Sequence, residues 1–113
     1  MGEERRWSLE AARELLPEVR ERTERAVRES ERLLERRDAL APDAAGRAPL
    51  DRELRAVVER WTREMEALGV DVKGVWLVDF DCGAGCYCWR WPEERLEWFH
   101  GYEEGFAGRS RIQ

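Results

Sequence analysis

Lysine is nearly missing from this chain of 113 residues: Lys73 stands alone, and arginine carries the rest of the positive charge. Acidic residues outnumber basic ones, 25 to 20, for a formal net charge of -5. Binding along a phosphate backbone needs a basic footprint, so no nucleic-acid partner is expected. No apolar run approaches the length that crosses a bilayer, and the opening MGEERRW lacks the apolar centre of a signal peptide. A soluble, cytoplasmic protein with no membrane partner is the expectation. Cysteines number three, and an odd count leaves no complete disulfide set within one chain. A reduced compartment is the simpler setting. Histidine occurs once, at His100, and the glycine-serine elbow, the phosphate loop and the HExxH zinc motif are all absent. Any nucleophile–base pair would have to be Cys88 with His100.

What is present divides the chain in two. Charged residues make up 40% of it, concentrated as Glu and Arg in the first two thirds. Six Trp, three Phe and two Tyr argue against disorder, which is poor in aromatics. By length this is one domain, residues 1–113, with a helical hairpin over 7–69 and a β-meander and tail over 70–113.

Ser8 is a good N-cap, and Trp7 before it can staple the first turn. Leu9, Ala12, Leu16, Val19, Thr23, Ala26, Ser30, Leu33, Arg37 and Leu40 then recur at spacings of three and four, which is one helical stripe. Thr23, Ser30 and Arg37 are its weak points. Pro17 interrupts the run, so the expectation is a short helix to Leu16 and a long one to about Leu40. Ala41 to Pro49 is a loop by its prolines and glycine. Leu50, Leu54, Val57, Trp61, Met65 and Leu68 form the stripe of a second helix, which Gly69 ends.

From Val70 the period changes. Val75 to Phe80 reads as a mostly buried strand, Gly83-Ala84-Gly85 as a turn, and Cys86 to Trp91 as the returning strand ended by Pro92. Leu96 to His100 is a third short strand or a helix start. The fold class is therefore α+β: a long antiparallel helical hairpin packed on a small three-stranded antiparallel β-sheet. Trp76, Trp89, Trp91 and Trp98 cannot all face inward on alternating strands. Exposed aromatic surface would mark a homodimer contact or another protein partner.

Leu77-Val78-Asp79-Phe80, Cys88-Trp89, His100 and Gly105-Phe106-Ala107-Gly108-Arg109 together resemble an uncharacterised prokaryotic family, domain of unknown function 2203. Ser8 to Ala12, Leu15-Leu16-Pro17, Leu68-Gly69-Val70 and Val72-Lys73 are similar to it as well. The resemblance spans nearly the whole chain and implies no particular activity. Of the cysteines, Cys88 matches the family pattern, while Cys82 and Cys86 are additions.

Two groups of residues could carry chemistry. Asp79 interrupts an apolar strand and shares a face with Leu77 and Val75, opposite Trp76, Val78 and Phe80, where a carboxylate needs a partner. Arg109 could supply it as an internal latch pinning the tail to the sheet. His100 and Glu103, three apart, would share a side if helical, so that Asp79, His100, Glu103 and Arg109 could bind a metal or a small polar ligand. The second group is Cys82, Cys86, Cys88 and His100, enough ligands for a tetrahedral zinc ion, although the spacing is not a paired CxxC knuckle. Buried apolar thiols or a local disulfide are the alternatives. In GFAGR the glycines read first as a tight turn. Three classes of function follow, in this order: a non-catalytic interaction or scaffold module that self-associates, a metal- or ligand-binding protein, and an enzyme using the same polar cluster. The first requires an exposed apolar patch and a fully paired polar cluster. The second requires side chains converging on a concave site.

Overall fold

The computed structural model describes residues 6–113. Helix α1 spans Leu9–Asp38 and α2 spans Arg47–Leu68, forming the hairpin. Ser8 caps α1, its Oγ accepting from the Ala11 N–H at 3.1 Å. Trp7 does more than staple the turn. Its indole N–H donates to the Gly69 carbonyl at 3.0 Å, and its ring meets Phe80 edge-on at 5.4 Å. The start of α1, the end of α2 and the sheet therefore meet at one residue.

The break expected at Pro17 does not occur: α1 runs through it without interruption. A proline in a helix interior removes one backbone hydrogen bond and costs about 3 kcal/mol. Burial on both sides of it, at Ala12, Leu16 and Val19, opposes that cost. The weak point at Thr23 is a polar link. Thr23 Oγ1 donates to the Val19 carbonyl at 2.7 Å and accepts the Trp61 indole N–H at 2.8 Å. Ser30 Oγ is buried with no partner among the described residues. Gly69 ends α2 with φ of 92°, a left-handed conformation that favours glycine.

The sheet has five strands, not three, paired antiparallel in the order β1-β2-β3-β4-β5. They are β1 Asp71–Gly74, β2 Leu77–Asp81, β3 Cys86–Arg90, β4 Trp98–His100 and β5 Ser110–Arg111. The additions are the two edges. Each is short, and neither carries a run of buried residues that would announce it. Val75 and Trp76, expected inside a strand, form the β1–β2 turn, with Trp76 at φ 63°. That turn lets Trp76 pack edge-on against Trp61 at 5.0 Å.

Register assigns the two faces. Val78 opposes Trp89 and Phe80 opposes Tyr87, and Val78, Phe80 and Trp89 join Leu16, Val19, Trp61 and Met65 in the core under the hairpin. Asp79 opposes Cys88, Cys86 opposes His100 and Cys88 opposes Trp98 on the other face. Trp7, Trp61 and Trp89 are buried, while Trp76, Trp91 and Trp98 are half-buried. No helix among the described residues is long and apolar enough to cross a membrane.

Candidate functional site

The chemistry lies on the sheet face turned away from the helices. Alternation on β2 puts Asp79 there between the core-facing Val78 and Phe80. Alternation on β3 puts Cys86 and Cys88 beside it, and β4 brings His100. Asp79, Cys88 and His100 are 2%, 1% and 4% exposed. One ligand atom from each lies within 4.8 Å of the other two, and among the described residues this is the group of His, Cys and acidic side chains so arranged.

His100 is held at both ring nitrogens. Nδ1 lies 2.7 Å from the Gly101 carbonyl, and Nε2 lies 3.0 Å from Asp79 Oδ2. A carbonyl can only accept, so Nδ1 donates to Gly101, and the contact between Nε2 and Asp79 Oδ2 needs a second proton shared between imidazole and carboxylate. The other carboxylate oxygen, Asp79 Oδ1, is buried without a full hydrogen bond among the described residues, and besides His100 the carboxylate meets only the weakly donating Cys88 thiol. Leaving a buried carboxylate oxygen unpaired costs on the order of 1–3 kcal/mol.

The tail covers this face. Gly101 donates its N–H to Glu104 Oε1 at 2.7 Å, which closes a turn over 101–104, and a 3-10 turn follows at Phe106–Gly108. Gly105 between them has φ 63° and ψ -168°, a region that only glycine occupies readily. A cleft of about 310 Å³ remains, lined by Lys73, Leu77, Asp79, Cys86, His100, Tyr102, Gly105 and Phe106.

Arg109 does act as a latch, but its partner is Glu93 rather than Asp79. The guanidinium donates to both Glu93 oxygens, at 3.1 and 2.5 Å, stacks on Phe106 and Trp98 at 4.2 and 4.8 Å, and reaches to 3.9 Å of Cys88 Sγ. Glu93 lies in the β3–β4 connection, a segment with no periodicity to mark it in the sequence. Glu103 is exposed and takes no part in the buried group. Residues 101–104 are a turn rather than a helix, so a spacing of three does not stack Glu103 on His100.

The fold also divides the cysteines. Cys82 begins the tight turn that Gly85 closes and has its thiol at the Tyr87 hydroxyl, on the far side of the sheet from Cys88. Cys86 lines the cleft, and Cys88 joins Asp79 and His100. Burial pushes the Cys88 thiol up to about 12, helped by the Asp79 charge and partly offset by Arg109. Burial, with Asp79 and Asp81, does the same to Cys86.

These thiols predict a pH dependence for the metal-free protein. Their folded values lie above the ordinary 9.0, so the unfolded chain releases these protons first. Their contribution to stability is complete below pH 9 and declines as pH rises toward 12, by up to about 1.4 kcal/mol per pH unit for each thiol. Chemical unfolding followed across that range checks it. At pH 8 a thiol reagent should modify Cys82 quickly and the two buried cysteines only as fast as the protein opens.

In class, this is an α+β domain in which a helical hairpin backs an antiparallel sheet, and the sheet's free face bears a buried Asp–Cys–His group under a short cover. The chain belongs to the family described as "Uncharacterized conserved protein (DUF2203)", whose model matches residues 5–112. Neither the comparison with curated proteins nor that with solved structures gave a match.

Proposed function

We propose that this protein binds one divalent transition-metal ion, zinc in the first instance, through Asp79, Cys88 and His100, with a fourth position open to the cleft. The observation that carries this reading is the orphaned Asp79 Oδ1 within a buried group of three ligand-bearing side chains. A scaffold would gain nothing from an unpaired buried oxygen, whereas a cation turns that cost into a bond. The pinned Nδ1–H of His100 is the outer-shell contact that orients metal-binding imidazoles. The 3.0 Å between Nε2 and Oδ2 is close to the edge of a tetrahedron with bonds of about 2.0–2.1 Å, roughly 3.3 Å.

The donor set favours zinc over magnesium or calcium, which take oxygen ligands. Binding would displace the Cys88 proton, because a metal-bound thiol deprotonates outright. A metal-free cysteine nucleophile fits less well, since a thiol at about 12 holds little thiolate near neutrality. The helical stripe is largely used within the chain, with Leu33, Leu50 and Val57 in one cluster. Leu34 and Leu40 remain as its exposed apolar residues, and self-association through them is a separate proposal.

Elemental analysis of protein purified without a metal-affinity column should find about one equivalent of metal per chain. Cobalt(II) added to stripped protein should give thiolate charge-transfer absorption that Cys88→Ser abolishes and Cys82→Ser leaves in place. Losing a direct ligand should weaken binding by more than the roughly 10–100-fold typical of outer-shell changes. Folded protein that takes up neither metal at micromolar concentration would overturn the reading.

A further inference from the structure

The cleft beside the buried group has a character of its own. At about 310 Å³ it lies at the low end of small-molecule sites. Leu77 and Phe106 supply apolar wall, and Gly105 leaves open space: a Cβ built there would meet nothing within 4 Å. The cation lining it is Lys73, the chain's single lysine. Val72 packs against the core opposite Val78, and the register shift between Val72 and Gly74 leaves Lys73 lining the cleft with Asp79. Among the described residues Lys73 makes no hydrogen bond or ion pair, while neighbouring acids are engaged, Asp81 accepting from the Tyr102 hydroxyl at 2.7 Å. Asp81, engaged first by Tyr102, meets the Lys73 charge only through space, which leaves the ammonium at the mouth of the cleft able to meet an anion.

Building on the metal reading, we infer that the cleft takes a small organic monocarboxylate. Its carboxylate would sit between the open coordination position and the Lys73 ammonium, with its short apolar body against Leu77 and Phe106. Charge supports this class. A divalent ion held by one carboxylate, one thiolate and a neutral imidazole carries no net charge, so an anionic fourth ligand adds one negative charge, which Lys73 offsets. A phosphate dianion would bring a second charge close to Asp79 and Asp81, with no further cation lining the cleft to meet it. A ligand without an apolar body would leave Leu77 and Phe106 unused.

The test uses full-length protein loaded with cobalt(II), whose visible spectrum reports changes at the fourth position. Butyrate should shift that spectrum saturably, while inorganic phosphate at equal concentration should not. Lys73→Gln should weaken butyrate binding by about tenfold, with cobalt content measured on the same sample. A second variant, Phe106→Ala, should weaken butyrate more than acetate. Several results would overturn the inference: cobalt-loaded protein indifferent to butyrate, equal binding by Lys73→Gln, or tighter binding of phosphate. A protein that takes up no cobalt would fail one step earlier and remove the metal reading as well, so the two failures are told apart by the metal content.

Discussion

Trp61→Ala is expected to lower the unfolding free energy by about 3–5 kcal/mol, the usual cost of truncating a buried tryptophan. Trp61 is 1% exposed and sits where three parts of the fold meet. Its indole N–H bonds Thr23 on α1, and its ring meets Trp76 at the β1–β2 turn. Truncation therefore leaves a cavity, frees the Thr23 hydroxyl from one partner and removes the support of a turn held at positive φ. Against a typical total of about 5–15 kcal/mol, that loss is a large share of the whole. Urea unfolding of the variant beside wild type measures it directly. Trp61→Phe, which keeps most of the ring but not the N–H, should cost about 1–2 kcal/mol. Val75→Ala, at an exposed position, should change little. A Trp61→Ala protein within 1 kcal/mol of wild type would show that the hairpin does not rest on this contact.

The second large effect concerns the buried pair. In metal-free protein, His100→Ala removes the partner of Asp79 Oδ2 while Oδ1 already lacks one. The carboxylate is then buried with the weakly donating Cys88 thiol as its remaining partner, and removing one member of a buried pair costs about 3–5 kcal/mol. Asp79→Ala should be less damaging, because a neutral imidazole is cheaper to leave alone than a carboxylate. The double variant should be more stable than the two single losses predict, with a coupling of about 1–3 kcal/mol. Additivity within about 0.5 kcal/mol would mean that the two side chains do not interact in solution. Stripped protein is the right material, since a bound ion would add its own stabilisation to wild type and hide the pairwise term.

The readings that succeeded rest on periodicity. Apolar residues three and four apart placed α1 and α2, and the cap at Ser8 and the stop at Gly69 placed their ends. Strict alternation set Asp79 apart from Val78 and Phe80 on one strand and Cys86 and Cys88 apart from Trp89 on the next, and the register between the strands decided that Asp79 and the cysteines share a face. The readings that failed needed knowledge of distant partners. Pro17 reads as a break because helix propensity is local and takes no account of the burial around it. β1 and β5 leave no mark in the sequence because an edge strand of two to four residues, half or wholly solvated, has no pattern. The strand acid in view for Arg109 is Asp79, whereas Glu93, hidden in a connection, is the acid that meets it.

The buried group shows the same division most clearly. The chain's own pattern marked Asp79, Cys88 and His100 as unusual residues and settled which way the first two point, because side-chain direction along a strand follows from neighbours alone. That His100 reaches Asp79 while Glu103 and Cys82 do not is a matter of register and turn geometry. A slip of one residue between β3 and β4 would send the imidazole to the helix side of the sheet. Local pattern is written in short-range sterics and hydrophobicity. The choice of partner is a global property, fixed when five strands and two helices pack at once.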